Sequence, residues 1–155
     1  MKRILLPCLL SLTALLNAWG QSDAGPFLPS DPAELLGYTP AMAIERFGAP
    51  ARVFAVRGAE AWQDDVVFDY GNFGLFLFSD RVWQVRIGAD YTRPVLGFSV
   101  GAGLERIQAA LGLPTSTGPG SWEWELPGNA WPVRLRAKVD ETGAVNEIYM
   151  YRADF

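Results

Sequence analysis

Period-two alternation of apolar and polar positions dominates the chain from residue 62 onward, and that period marks strands with one buried face. In 62–70, Val66, Phe68 and Tyr70 share one face while Asp65, Val67 and Asp69 share the other. Gly71-Asn72 is a turn signal. In 73–79, Phe73, Leu75 and Leu77 oppose Phe76 and Phe78. Asp80-Arg81 reads as a tight turn into a third strand at 82–87. A second set follows. Trp122, Trp124 and Leu126 oppose Glu123 and Glu125; Val133, Leu135, Ala137 and Val139 oppose Arg134, Arg136 and Lys138. Glu141-Thr142-Gly143 then turns the chain into 145–151, where Glu147, Tyr149 and Tyr151 share a face. Leu75, Leu77, Val85, Trp124, Leu135 and Ile148 are the expected core.

A short helical pattern precedes each set. Thr39 is a good N-cap, Pro40 suits the first helical position, and Gly48 and Pro50 end the helix. Two turns are too few to stand alone, so Met42, Ile44 and Phe47 are expected to be buried by the sheet. A longer helix is predicted over 101–111, capped by Ser99 and closed by Gly112, with 115–120 as a loop. The two segments match: Leu36-Gly37-Tyr38-Thr39 aligns with Leu96-Gly97-Phe98-Ser99, and Glu45-Arg46 with Glu105-Arg106. Phe47-Gly48-Ala49-Pro50 aligns with Leu111-Gly112-Leu113-Pro114. Such self-similarity predicts a repeated supersecondary unit. The expected fold class is α+β: two tandem helix-plus-antiparallel-meander repeats, 35–89 and 95–151, in one domain, 35–155. The helices lie on one face of a curved antiparallel sheet.

The first twenty residues change the chemistry available. Lys2 and Arg3, the apolar run 4–16 and Ala18-Trp19-Gly20 read as a signal peptide cleaved before Gln21. The rival readings are a transmembrane anchor, for which the run is too short, and a lipid on Cys8. Residues 21–34, opening on a Pro-, Ser- and Asp-rich stretch, read as a tether. Cys8 is the only cysteine and there is no histidine. The cleaved chain therefore has no disulfide, no thiolate zinc site and no His-based triad. Removing Lys2 and Arg3 takes the thirteen basic residues to eleven, against seventeen acidic ones, a net of −6. That balance argues against a nucleic-acid partner. An exported protein, periplasmic or extracellular, with no membrane span is expected.

Gly37-Tyr38-Thr39, seven residues, then Phe47-Gly48-Ala49-Pro50 resembles the opening helix of the SmpA/OmlA repeat, found in a lipoprotein of outer-membrane β-barrel assembly. Phe68-x-Tyr70, Leu75-Phe76-Leu77-Phe78 and Asp80-Arg81-Val82 resemble its strands. A tandem pair is similar to the β-lactamase-inhibitor-protein architecture, and that resemblance implies one curved sheet whose concave face grips a partner. The chain lacks that family's disulfides, and no inhibitory contact residue transfers.

The candidate site is the sheet face the helices leave open. In the second half this face is charged, Glu123, Glu125, Arg134, Arg136, Lys138 and Glu147. In the first half it carries Val67, Phe76 and Phe78 with Asp69, Gln84 and Arg86. Apolar residues there suggest docking. Three occupants are open: another envelope or secreted protein, the chain's own tether or a loop, or a second copy in a homodimer. The partner-binding set is Phe76, Phe78, Asp69, Arg86, Arg134, Arg136, Tyr149 and Tyr151. No cofactor, metal or catalytic residue is assigned. Asp64, Asp65 and Asp69 are split by alternation, and Glu123 and Glu125 sit beside arginines that keep both ionised. The expected function is a protein-binding module, an envelope assembly accessory or an inhibitor of an exported enzyme. The alternative is a carbohydrate or cell-wall ligand binder using exposed aromatics such as Trp131.

Overall fold

A computed structural model of the chain describes residues 26–60 and 64–154. In chain order the elements are a 3₁₀ helix Pro32–Leu35, α1 Pro40–Phe47, β1 Arg52–Val56, β2 Asp65–Asp69, β3 Phe73–Phe78, β4 Arg81–Ile87, α2 Leu104–Leu111, β5 Ser116–Gly118, β6 Ser121–Leu126, β7 Val133–Val139 and β8 Val145–Arg152. The strands form one eight-stranded sheet in the order β1-β2-β3-β4-β8-β7-β6-β5, and all neighbours are antiparallel. The last strands of the two halves meet at the centre, with Val85 opposite Met150 and Ile87 opposite Ile148.

This architecture corrects the expected fold class. The described residues form a single continuous sheet carrying two eight-residue helices, not two helix-plus-meander repeats. Each half has a fourth strand. β1 is exposed at every position, so it leaves no alternation in the sequence. β5 occupies the stretch expected as a loop. The second helix starts at Leu104 on a Gly103 N-cap with no side-chain cap, not at Gly101. The residues ahead of it stitch to β8 instead: Gly101 N–H donates to the Val145 carbonyl at 2.7 Å and Val145 N–H to the Ala102 carbonyl at 3.0 Å. The matched Leu-Gly pairs also differ. Leu36 is extended and Gly37 has φ 89°, a type II turn closed by Tyr38 N–H on the Leu35 carbonyl. Leu96 and Gly97 both have positive φ, 49° and 87°, a type I′ turn between Val95 and Phe98. One sequence motif serves two different corners.

α1 keeps its expected ends: Thr39 Oγ1 accepts from Met42 N–H and the helix closes on Gly48. Its buried side differs from the expectation. Met42 and Ile44 stay exposed, while Ala43 is fully buried and Phe47, one turn on, meets Tyr70 and Phe73 edge-on at 5.6 and 5.3 Å. The small Ala43 side chain lets the helix lie close to the sheet. Residues 26–34, the described part of the expected tether, pack on the fold. Leu28 and Ala33 are buried, Leu28 N–H donates to Tyr91 Oη at 2.9 Å, and the Arg93 guanidinium lies 3.4 Å from the Phe27 ring centre. Among the described residues, the core begins at Leu28. All six expected core residues are buried. The apolar sheet face, the two α-helices and the 3₁₀ turn enclose one cluster.

Candidate functional site

The opposite sheet face collects alternate residues from seven strands. From β1 come Arg52, Phe54 and Val56; from β2 Asp65, Val67 and Asp69; from β3 Phe76 and Phe78. β4 supplies Gln84 and Arg86, β8 Glu147, Tyr149 and Tyr151, β7 Arg134, Arg136 and Lys138, and β6 Glu123 and Glu125. A bulge adds one more. Phe76 pairs with Gln84 but Leu77 with Val82, leaving Trp83 unmatched. The extra residue turns Trp83 onto the same face as Gln84, and its indole Nε1 donates to Asp65 at 2.9 Å.

Two aromatic–cation–carboxylate triangles occupy the centre. Lys138 Nζ donates to Glu147 at 3.1 Å and to Tyr149 Oη at 3.3 Å, and Tyr149 Oη donates to Glu147 at 3.0 Å. Arg136 donates to Glu123 at 2.9 Å and to Tyr151 Oη at 3.1 Å, and Tyr151 Oη donates to Glu123 at 2.7 Å. Both cations also lie over their tyrosine rings, Lys138 at 4.8 Å and Arg136 at 5.5 Å. The repetition follows from strand geometry: Arg136 faces Tyr149 and Arg134 faces Tyr151, so each cation reaches a tyrosine diagonally, within range of a long side chain. Arg86 joins the first triangle through Glu147 at 2.7 Å, and Arg134 joins the second through Glu123 at 3.4 Å.

Burial pushes the Glu123 and Glu147 carboxyls up, but hydrogen bonds from Tyr151 and Arg136 on Glu123, and from Arg86, Lys138 and Tyr149 on Glu147, more than offset it. Both sit below the ordinary glutamate value and stay ionised. Glu125, beside Glu123, is held by Arg134 at 3.3 Å. The chemistry of this arrangement is charge pairing and stacking.

The expected site residues divide in three. Arg86 and Tyr149 belong to the Glu147 cluster, and Arg134, Arg136 and Tyr151 to the Glu123 cluster. Phe76 and Phe78 stand half-buried on the adjoining apolar strip, over a buried Val67. Asp69 is different. It is 4% exposed, bound by Arg52 and by Gly71 N–H, and so holds the β2–β3 turn instead of offering a contact. Asp64 pairs with Arg57 and Asp65 with Trp83, so the three aspartates serve three separate partners. Trp131, expected in an exposed loop, is half-buried. Its ring packs against Gly37 and lies 4.3 Å from the Arg152 guanidinium.

Gln84 and Lys138 lie on the open face as expected but stand outside the expected partner-binding set, and Trp83 is the site residue that alternation misplaces. With Arg136, Tyr149 and Tyr151 they line a shallow cleft of about 350 Å³. Strict alternation puts Trp83 on the core face. The signal that corrects it is the spacing of the buried residues Val82, Val85 and Ile87: a step of three followed by a step of two betrays one inserted residue.

Among the described residues, no helix is long and apolar enough to cross a membrane. No family model matches the chain, and no characterised protein matches it in sequence. Two solved structures are similar. One, the crystal structure of a DUF4309 family protein (YjgB) from Bacillus subtilis, matches at 16% identity and TM-score 0.44 over 74% of this chain and 78% of that one. The other is an extracellular protein containing an SCP domain from Bacillus anthracis, at 9% identity and TM-score 0.53, over 80% of this chain but 46% of that one. Neither is an SmpA/OmlA repeat protein or a β-lactamase inhibitor. The chain spans less than half the length of the SCP-domain protein and shares with it a fold.

Proposed function

We propose that the chain is an exported protein-binding module that docks another envelope or secreted protein on the open sheet face. The observation that carries this reading is the composition of that face. A half-buried aromatic strip, Phe76, Phe78 and Trp83, adjoins a tyrosine-rich patch in which Arg86, Arg134, Arg136 and Lys138 each have a carboxylate partner. A partner covering this patch meets few unpaired charges, so its desolvation cost is lower than over unpaired ones, while tyrosine, tryptophan and arginine are the residues that anchor interfaces. The α-helices and the 3₁₀ turn pack on the other face, which leaves this one open among the described residues. Export rests on the pattern of residues 1–20 and agrees with the extracellular setting of the SCP-domain neighbour.

A second reading draws on the cleft. Trp83, Tyr149 and Tyr151 beside Gln84, Arg136 and Lys138 give stacking surfaces next to hydrogen-bond donors, which suits a saccharide. A photo-crosslinking residue at Gln84, and one at Glu105 on α2 as control, separates the two in intact cells. Docking predicts crosslinks to one exported protein from position 84 and none from 105. Equal crosslinking from both positions, or binding of cell-wall glycan with no protein adduct, would reject it.

A further inference from the structure

The two edges of the sheet are built differently. β5 is three residues long and polar, Ser116, Thr117 and Gly118, and short polar edges resist strand addition. β1 is five residues, Arg-Val-Phe-Ala-Val, exposed throughout. Val53, Phe54 and Val56 are 57%, 43% and 39% exposed. Charges ordinarily protect such an edge, but here they are engaged. Arg52 pairs with Asp69 and lies 5.8 Å from the Phe54 ring centre, and Arg57 pairs with Asp64.

We propose that β1 pairs antiparallel with β1 of a second copy, about a two-fold axis through Phe54. Antiparallel ladders place like-phased residues opposite each other, so the axis passes through a residue, not between two. Only the middle residue, Phe54, brings all five positions into register. Arg52 then faces Val56 of the second copy, Val53 faces Ala55, and Phe54 faces its own mate. No cation faces a cation. The existing register of β1 on β2 extends each row across the axis. On the open face Val67 and Phe54 continue into their counterparts as one apolar band. On the helix side Phe68 and Val53 continue into Ala55 and Val66 of the second copy. Arg52 lies beside its own Asp69, and the second copy's Asp65 ends the same row one strand beyond Val56. This match of apolar with apolar, with no cation against a cation and an anion at each end of the Arg52 row, is what favours a second copy over a foreign strand, and a self-complementary patch is what a two-fold dimer needs. The pairing is independent of what docks on the open face.

Sedimentation equilibrium of the signal-cleaved chain tests it, and should show a concentration-dependent monomer–dimer equilibrium. Phe54→Lys places two ammonium groups opposite each other and should give monomer with an unchanged circular dichroism spectrum. Single cysteines fix the register, since the signal-cleaved chain has no other cysteine. Phe54→Cys should crosslink to itself on oxidation, because directly opposite Cβ atoms are about 4.5–5.5 Å apart. Val53→Cys should crosslink far less, since its mate lies on the diagonal at about 7–8 Å. The proposal is overturned by a wild type that stays monomeric at all concentrations, by a folded Phe54→Lys that still dimerises, or by equal crosslinking at 53 and 54. A monomer that instead takes up an added foreign strand at β1 overturns it too.

Discussion

The Trp83 indole N–H reaches across β3 to the Asp65 carboxylate, 2.9 Å away, because a bulge in β4 rotates Trp83 onto the open face. Burial pushes the Asp65 carboxyl above its ordinary value, the indole bond pulls it back, and Asp64 raises it again. Trp83→Phe removes the donor and leaves a half-buried acceptor unmatched. The expected loss is about 1–2 kcal/mol in denaturant titration, with a further rise of the Asp65 pKa by carboxyl NMR. No change in that pKa would mean that the bond contributes nothing in solution.

Glu123 and Glu147 set the acid limit. Their folded values lie below the ordinary 4.5, so the stability they contribute is full above that value and is lost as pH falls through the depressed folded values. Stability should decline steadily below about pH 4.5. Glu147→Gln should cost about 1 kcal/mol at neutral pH, a figure already reduced for the exposure of its partners, and should flatten the acid limb. Burial raises Tyr70, so an alkaline loss should begin near pH 10, where the unfolded chain ionises first. An acid limb unchanged in Glu147→Gln would show that the carboxylate is not held low.

What the sequence disclosed follows from which residues the fold buries. The strands with one dry face, β3, β6, β7 and β8, wrote that burial into their alternation, so Leu75, Trp124, Leu135 and Ile148 were legible. β1 has no dry face and β5 is three residues long, so neither left a period. The helices misled in another way. Only Ala43 of α1 and Ile107 of α2 are fully buried, and an apolar stripe of Met42, Ile44 and Phe47 promised more cover than the sheet required. In the site, the tyrosines and arginines followed from alternation. The tyrosine–cation–carboxylate triangles depend on diagonal register, and Trp83 on a bulge, both of which lie outside a strict period of two.

The β3–β4 hairpin turns through Ser79 and Asp80, both with positive φ, 47° and 58°. That is a type I′ turn made without its preferred Asn-Gly pair. Ser79→Asn with Asp80→Gly should raise stability by about 0.5–1 kcal/mol, read as an increase in denaturant midpoint with unchanged slope. A lower midpoint would mean that the present side chains hold the turn through contacts that outweigh its backbone strain.

Gly37 and Gly97 occupy matched places in the sequence, and the structure separates their roles. Both have positive φ, so an alanine at either is strained. The surroundings differ. A Cβ on Gly37 would lie 3.0 Å from Trp131 Cη2, whereas on Gly97 it would lie 3.6 Å from the Ala110 methyl, an ordinary contact. Gly97→Ala should therefore cost only the backbone strain, about 1–2 kcal/mol. Gly37→Ala carries the same strain and must also displace the Trp131 ring, which lies 4.3 Å from the Arg152 guanidinium. It should cost roughly 1–3 kcal/mol more, with a change in tryptophan fluorescence that Gly97→Ala lacks. Equal midpoints for the two variants, with equal spectra, would show that Trp131 moves aside without cost and does not lock the first Leu-Gly corner.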